Sequence, residues 1–139
     1  MLNDAVNKQT SIEKKSIDTI RAIALDSVNK AQSGHTGTAM SLAPLAYLLF
    51  TKILNYNNED TTWINRDRFI LSGGHVSILH YAMLYLTNSG LELDDLKEFR
   101  QLGSLTPGHP EVGHTKGIEY TTGPLGQGFS NGVGCAISE

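Results

Sequence analysis

The sequence predicts an α/β unit whose sheet is incomplete, mostly helical over its 139 residues. Three observations lead there. Residues 68–72, RFILS, form a short apolar, partly β-branched run that stops at Gly73–Gly74 and leads into a helical pattern, which is half of a βαβ unit. The helical stretches carry apolar faces that one good strand and one doubtful strand (IEYTT, 118–122) cannot cover, since a stable sheet usually needs three or more strands. The chain stops at Glu139 inside a helical pattern, with no Gly, Asn or Pro stop signal after it. The expectation is the front of a larger α/β domain, with a compact helical domain ranked below it.

The elements follow in order. Residues 1–10 are polar and expected to fray. Thr10 or Ser11 can cap a first helix, in which Ile17, Ile20, Ala24, Val28 and Ala31 recur at helical spacing as a core stripe. Gly34 is placed to end it. A second helix is expected from about Thr38 to Lys52. It is apolar nearly all round, which predicts deep burial, with Pro44 in its first turns. NYNNEDTTWINRD is a polar connection. HVSILHYAMLYL, 75–86, leaves the Gly-Gly turn as a helix, and LDDLKEF, 93–99, is a short helix with Asp94 and Asp95 at its positive end. Residues 103–128 form a long loop rich in Gly, Pro and His, a length that usually marks function or disorder. From Gly128 onward, Phe129, Val133, Ala136 and Ile137 are spaced for a last helix.

Bulk properties narrow the function. The hydrophobic share of 40% and charged share of 18% fit a globular chain, and a chain of this length can bury roughly two-thirds of its unfolded surface. A net charge of -3 gives no footprint for nucleic acid or an acidic membrane surface. The single Cys135 excludes an internal disulfide. No signal segment and no run of ~20 apolar residues is present, so a cytoplasmic, membrane-free protein is expected.

The chemistry-bearing residues are histidines at turns. His35 sits in GHTG, His75 in GGHV and His109 in PGHP. A histidine at an element end can donate, accept or carry a proton near neutral pH. Any one of them alone is more simply an exposed polar residue; three repeats weaken that reading. His80, inside a helix, is expected to be a packing residue with one hydrogen bond. His114 fits either class. His109 and His114 satisfy half of a zinc pattern, but Cys135 lacks a partner nearby, so zinc is a weak reading. GPLGQG is neither a complete dinucleotide fingerprint nor a Walker A loop. Its glycines allow close backbone approach, and the helix opening near Gly128 can present free N–H groups to a flat or anionic small molecule. Close packing of loop on helix explains these residues about equally well.

The order SGHTG, DRFILSGGH and LGSLTPGHPEVGHTKGIEYTTGPLGQGFSNGVGCAISE resembles the start of transketolase, from about Ile17 to Glu139. The resemblance implies a thiamine diphosphate-binding domain with a mainly parallel sheet, of which residues 1–139 are the N-terminal part. It implies Mg2+, sugar phosphate substrates, transfer of a two-carbon ketol unit from a ketose phosphate to an aldose phosphate in the pentose phosphate pathway, and a homodimer. By residue, His35 and His109 would bind the sugar hydroxyls and assist proton movement. His75 would hold the cofactor diphosphate, and Gly123, Pro124 and Leu125 would lie against the cofactor. The family's metal ligands, activating glutamate and phosphate-binding arginines would lie beyond residue 139, so the isolated chain is expected to be inactive. Thr36 replaces a common proline, and Gly73 and Val76 depart from a common N-G-H-G, with Val76 adding bulk beside His75. The competing readings are a non-catalytic subunit or interaction module pairing with a separate chain, and another thiamine enzyme such as a sugar-phosphate synthase.

Overall fold

The computed structural model describes residues 11–139. The expected Thr10 cap, the side chain of Ser11 and the expected fraying of residues 1–10 lie outside the described residues. Helix α1 spans Ser11–Ala31. Its predicted stripe faces inward: Ile17, Ile20, Ala24 and Val28 are all buried. Each fully buried Ile contributes about 2 kcal/mol of apolar transfer. The helix ends earlier than Gly34. Gln32 already takes a left-handed backbone, φ 51, and Gly34 follows at φ 135. Gly34 is also sterically fixed, because a Cβ there would lie 2.9 Å from Cγ2 of Val28 and 3.2 Å from Cε1 of Phe99.

Helix α2 spans Gly37–Leu48 and continues as a π-helical turn, Leu49–Ile53. Two expectations fail here. Burial is one-sided: Ala39, Ala43 and Ala46 face the core, while Leu45 and Leu48 are exposed. Pro44 lies well inside the helix rather than in its first turns. A proline there leaves the carbonyl four residues earlier without its amide donor. That carbonyl belongs to Met40, and Nε of Arg21 on α1 donates to it at 3.2 Å. The substitution of a side-chain donor for the missing N–H lets the helix run on.

A 3-10 turn, Gly74–Val76, leads into α3, Ser77–Leu86. Every residue of α3 from Ser77 to Leu84 is buried, and α1, α2 and a short helix α4, Leu93–Lys97, pack against it. The sequence places α4's end at residue 99, two residues later. A capping box closes its start: the Glu92 side chain accepts from the Asp95 amide, and Oδ2 of Asp95 accepts from the Glu92 amide at 2.7 Å. Helix α5 spans Gln127–Ser138. No helix among the described residues is long and apolar enough to cross a membrane.

The sheet is not present among the described residues. Neither 68–72 nor 118–122 forms a strand. A strand exists by pairing, and among the described residues no second strand is available to 68–72. Its carbonyls find other donors: the Leu71 C=O accepts from Oγ1 of Thr122 at 2.8 Å. The polar connection between α2 and this segment is closed by Asn55 and Asp67, each donating its amide to the other residue at 2.7 Å. Arg66 then reaches Glu119 through two bonds, 2.7 and 2.8 Å, with both side chains largely buried.

Candidate functional site

Four turns converge at one end of α3. The first follows α1 and carries His35. The second precedes α3 and carries His75. The third, 107–110, carries His109, and the fourth, 122–126, precedes α5. The His35 and His75 rings meet edge to face with centroids 5.1 Å apart. The fourth turn touches the second through bare backbone: a Cβ on Gly74 would lie 2.8 Å from N of Gly123 and 2.8 Å from C of Thr122. It touches the third as well, since a Cβ on Gly123 would lie 3.5 Å from Cδ2 of His109.

The structure therefore brings together His35, His75, His109 and Gly123, which are distant in sequence. Pro124 and Leu125 continue the fourth turn at the surface, and Leu125 is 79% exposed, an apolar side chain with nothing over it. The other two histidines take no part in these contacts. His114 Nε2 is 2.8 Å from the Ser104 carbonyl oxygen, so the imidazole that would complete a zinc pair with His109 is engaged apart from it. Among the described residues no set of three or more His, Cys, Asp or Glu side chains is placed to hold a metal ion. His80 is a core residue as expected, lying edge to face with Phe69 at 4.7 Å. The expected hydrogen bond is missing at Nδ1, which is buried without a partner.

The electrostatics suit proton traffic at His109. His109 is exposed, but partial desolvation lowers its pKa, and the positive charge of Arg100, His35 and His75 pushes the same way, with Glu111 opposing. A neutral His109 can accept a hydrogen bond or a proton at neutral pH. The departures at the second turn are benign in shape. Val76 is 2% exposed and packs into the core, away from the surface where His75 lies half-buried. Gly73 leaves ordinary space, because a Cβ there would lie 3.4 Å from Cε1 of His75.

Several residues that position the site carry no motif. Beneath the third turn, Ser77 Oγ donates to the Gly108 carbonyl at 2.9 Å and the buried Tyr81 hydroxyl donates to the His109 carbonyl at 3.3 Å. Burial raises the Tyr81 pKa strongly, so it stays a donor. The Thr122 amide donates to the Pro110 carbonyl at 3.1 Å. At α5 the expected free amides are partly used: the Phe129 amide donates to Ser72 Oγ at 3.0 Å and the Gln127 amide to the Pro124 carbonyl at 3.2 Å. Gly128 lets α5 approach this closely, since a Cβ there would lie 2.6 Å from Cα of Ser72. The signal for Ser77 and Tyr81 was the polar face of α3, visible in the sequence but unreadable without knowing which loop lies over it.

A family model described as transketolase, thiamine diphosphate binding domain, matches residues 12–139. The chain belongs to the transketolase family. The transketolase of Geobacillus stearothermophilus is 55% identical over 129 residues, covering 93% of this chain and 19% of that protein. The transketolase of Mycobacterium leprae is 57% identical, covering 93% and 18%. Among solved structures, the Pichia stipitis transketolase in complex with sedoheptulose-7-phosphate superposes with a TM-score of 0.90 at 54% identity, over 93% of this chain and 19% of that one. Transketolase from Campylobacter jejuni gives 0.89 at 47% identity, over 94% and 20%. The chain thus has the fold of the corresponding part of the transketolase thiamine diphosphate-binding domain, and spans about one fifth of the length of these relatives.

Proposed function

We propose that residues 1–139 are the N-terminal part of a thiamine diphosphate-binding domain and form one wall of a ketol-transfer site acting on sugar phosphates. The observation that supports this best is the convergence of His35, His75, His109 and the backbone of Gly123 at one end of α3. The arrangement fits the cofactor. Three imidazoles offer donors, the glycine backbones leave a low surface, and Leu125 offers an exposed apolar contact. When bound, the cofactor supplies the carbon nucleophile for moving a two-carbon unit.

Each residue of the wall then has a task. His75 donates to the diphosphate. Gly123, Pro124 and Leu125 lie against the cofactor rings and offer main-chain groups to them. His35 and His109 bind sugar hydroxyls, and His109, held neutral, accepts a proton from a hydroxyl. Fixing these donors and acceptors before reaction lowers the entropic part of the barrier. Mg2+ is expected to be held by residues outside this chain, and the complete enzyme is expected to be a cytoplasmic homodimer of the pentose phosphate pathway. Residues 1–139 alone carry out no ketol transfer on this reading.

A second reading, an interaction module, is favoured by one observation. Along α5 Phe129, Val133 and Ile137 are 72%, 47% and 81% exposed, an apolar face with no cover among the described residues. The deciding experiment measures thiamine diphosphate binding and ketol transfer from xylulose 5-phosphate to ribose 5-phosphate, using the full-length polypeptide that carries these residues and, separately, residues 1–139. Binding and turnover by the full-length protein support the proposal. Turnover by 1–139 alone, or self-association of the full-length protein without cofactor binding, refutes it.

A further inference from the structure

Arg100 lies between two of the site's turns and is held there at a cost. Its backbone sits in the left-handed region, φ 63, which L side chains rarely adopt. Its Nε is buried without a hydrogen-bond partner. A residue kept in a strained backbone with an unsatisfied donor is over-determined by its surroundings, and such positions cluster at functional sites.

The surroundings are specific. Nη1 of Arg100 donates to Ser33 Oγ at 2.6 Å, two residues before His35. The guanidinium fills the space beside Cα of Gly108, one residue before His109. A Cβ on Gly108 would lie 2.9 Å from Nε and 3.2 Å from both Cζ and Nη2. The Arg100 amide donates to the Thr106 carbonyl at 2.9 Å, fixing the base of the same turn. The cation also lies 5.7 Å from the centre of the Phe99 ring. Ser33, Arg100, Gly108, His109, Glu111 and His114 are among the residues that line an open depression.

We infer that Arg100 is a positioning residue that ties the His35 turn to the His109 turn and fixes the distance between the two imidazoles. Three features make this more than a loop staple. The tie joins the two turns whose histidines are assigned to the same substrate. The group packed beside Gly108 is broad and planar, a shape that the ammonium of lysine does not reproduce. The bare Gly108 peptide is required for the guanidinium to lie so close. The tie itself stands on geometry; its catalytic meaning rests on the ketol-transfer reading above.

The test uses the full-length polypeptide that carries these residues, with Ser33→Ala and Arg100→Lys. Ser33→Ala removes one hydroxyl and carries little folding risk. The first readout is amide hydrogen exchange, because His35 and His109 are themselves exposed. The Arg100 amide, bonded to the Thr106 carbonyl, and the Met40 amide, bonded to the Thr36 carbonyl, report on the two turns. Loss of the tie should speed exchange of both about fivefold in each variant, the effect of one hydrogen bond, while amides inside α3 stay unchanged. The second readout is steady-state ketol transfer. The kcat of Arg100→Lys should fall about tenfold or more, with thiamine diphosphate affinity within about twofold of wild type. In a His109→Ala background the same change should cost little more. Unchanged exchange of both amides in Ser33→Ala overturns the tie, whatever the turnover. A kcat loss that is fully additive with His109→Ala overturns the positioning role. Faster exchange in a protein without wild-type ketol transfer supports the tie and sinks the functional reading instead.

Discussion

Gly74→Ala should separate the two turns that cradle the proposed cofactor. The new Cβ would meet N of Gly123 at 2.8 Å, C of Thr122 at 2.8 Å and O of Thr122 at 2.9 Å. All three atoms are backbone, so no rotamer change relieves the clash. Comfortable carbon contacts begin at about 3.5 Å, so the turns must part by about 0.7 Å. The overpacking cost is about 1–3 kcal/mol. The functional cost is separate. A displacement of that size takes a hydrogen bond of ordinary length to the edge of its range. Loss of one charge-assisted bond between His75 and a diphosphate is worth about 1.5–3 kcal/mol, or about 10- to 100-fold in Kd. The assay is calorimetric titration of thiamine diphosphate into the full-length protein, with Gly37→Ala as control. Gly37 also flanks a site histidine, but a Cβ there would meet nothing within 4 Å. Gly74→Ala binding within about twofold of wild type, with an unaltered unfolding midpoint, would refute the argument that this backbone contact shapes the site.

Other outcomes follow from the same geometry. His75→Ala should weaken thiamine diphosphate binding more than His35→Ala does, and His35→Ala should mainly lower turnover or sugar binding; the reverse order in paired titrations and kinetics would mean the roles are misassigned. His80→Leu should flatten the acid side of the stability profile. Burial holds His80 at about 3 against an ordinary value of 6.5, so unfolding takes up a proton below about pH 6.5 and stability drains as pH falls toward 3, by about 2 kcal/mol at pH 5. Unfolding midpoints at pH 7 and 5 measure it, and an unchanged slope in the variant would count against a neutral, buried His80. Arg66→Met should destabilise by about 2–3 kcal/mol in denaturant titration, because it strands the largely buried Glu119 carboxylate; pairing it with Glu119→Leu should recover much of the loss.

The sequence was most informative where periodicity and local chemistry agree. The α1 stripe is legible because burial repeats at helical spacing, and α5 because its apolar residues recur at that spacing, although Phe129, Val133 and Ile137 are exposed. The histidine turns were legible because each is bracketed by residues that break helices. What was not legible depends on contacts between distant segments. Residues 68–72 have the composition of a strand, yet strand identity belongs to a pair, and no pairing partner lies among the described residues. Leu45 and Leu48 read as buried because composition cannot tell which side of an apolar helix finds a neighbour. Pro44 reads as a residue of the first turns of α2, because the donor that rescues Met40 sits on Arg21 of another helix. Ser77, Tyr81 and Arg100 belong to no motif at all.

These unmarked residues explain how a site made of turns can be rigid. A turn by itself is held by one or two hydrogen bonds and moves easily. Here the His109 turn rests on α3, the most buried element, through Ser77 and Tyr81, and is tied sideways to the His35 turn through Arg100. The His75 turn is continuous with the same helix, and the Gly123 turn is pressed onto it without side chains between. Helix α3 therefore supports or begins next to each of these last three turns. It follows that the imidazole spacing is inherited from the core, and that a core change under the third turn should be felt in turnover. Tyr81→Phe removes only the hydroxyl that holds the His109 carbonyl. It should leave the unfolding midpoint nearly unchanged, since the ring stays packed and the bond is long at 3.3 Å, yet it should lower kcat severalfold if orientation of His109 limits the reaction. Equal kcat in Tyr81→Phe and wild type would mean that the turn is held by its other bonds, and that α3 supports the site by shape alone.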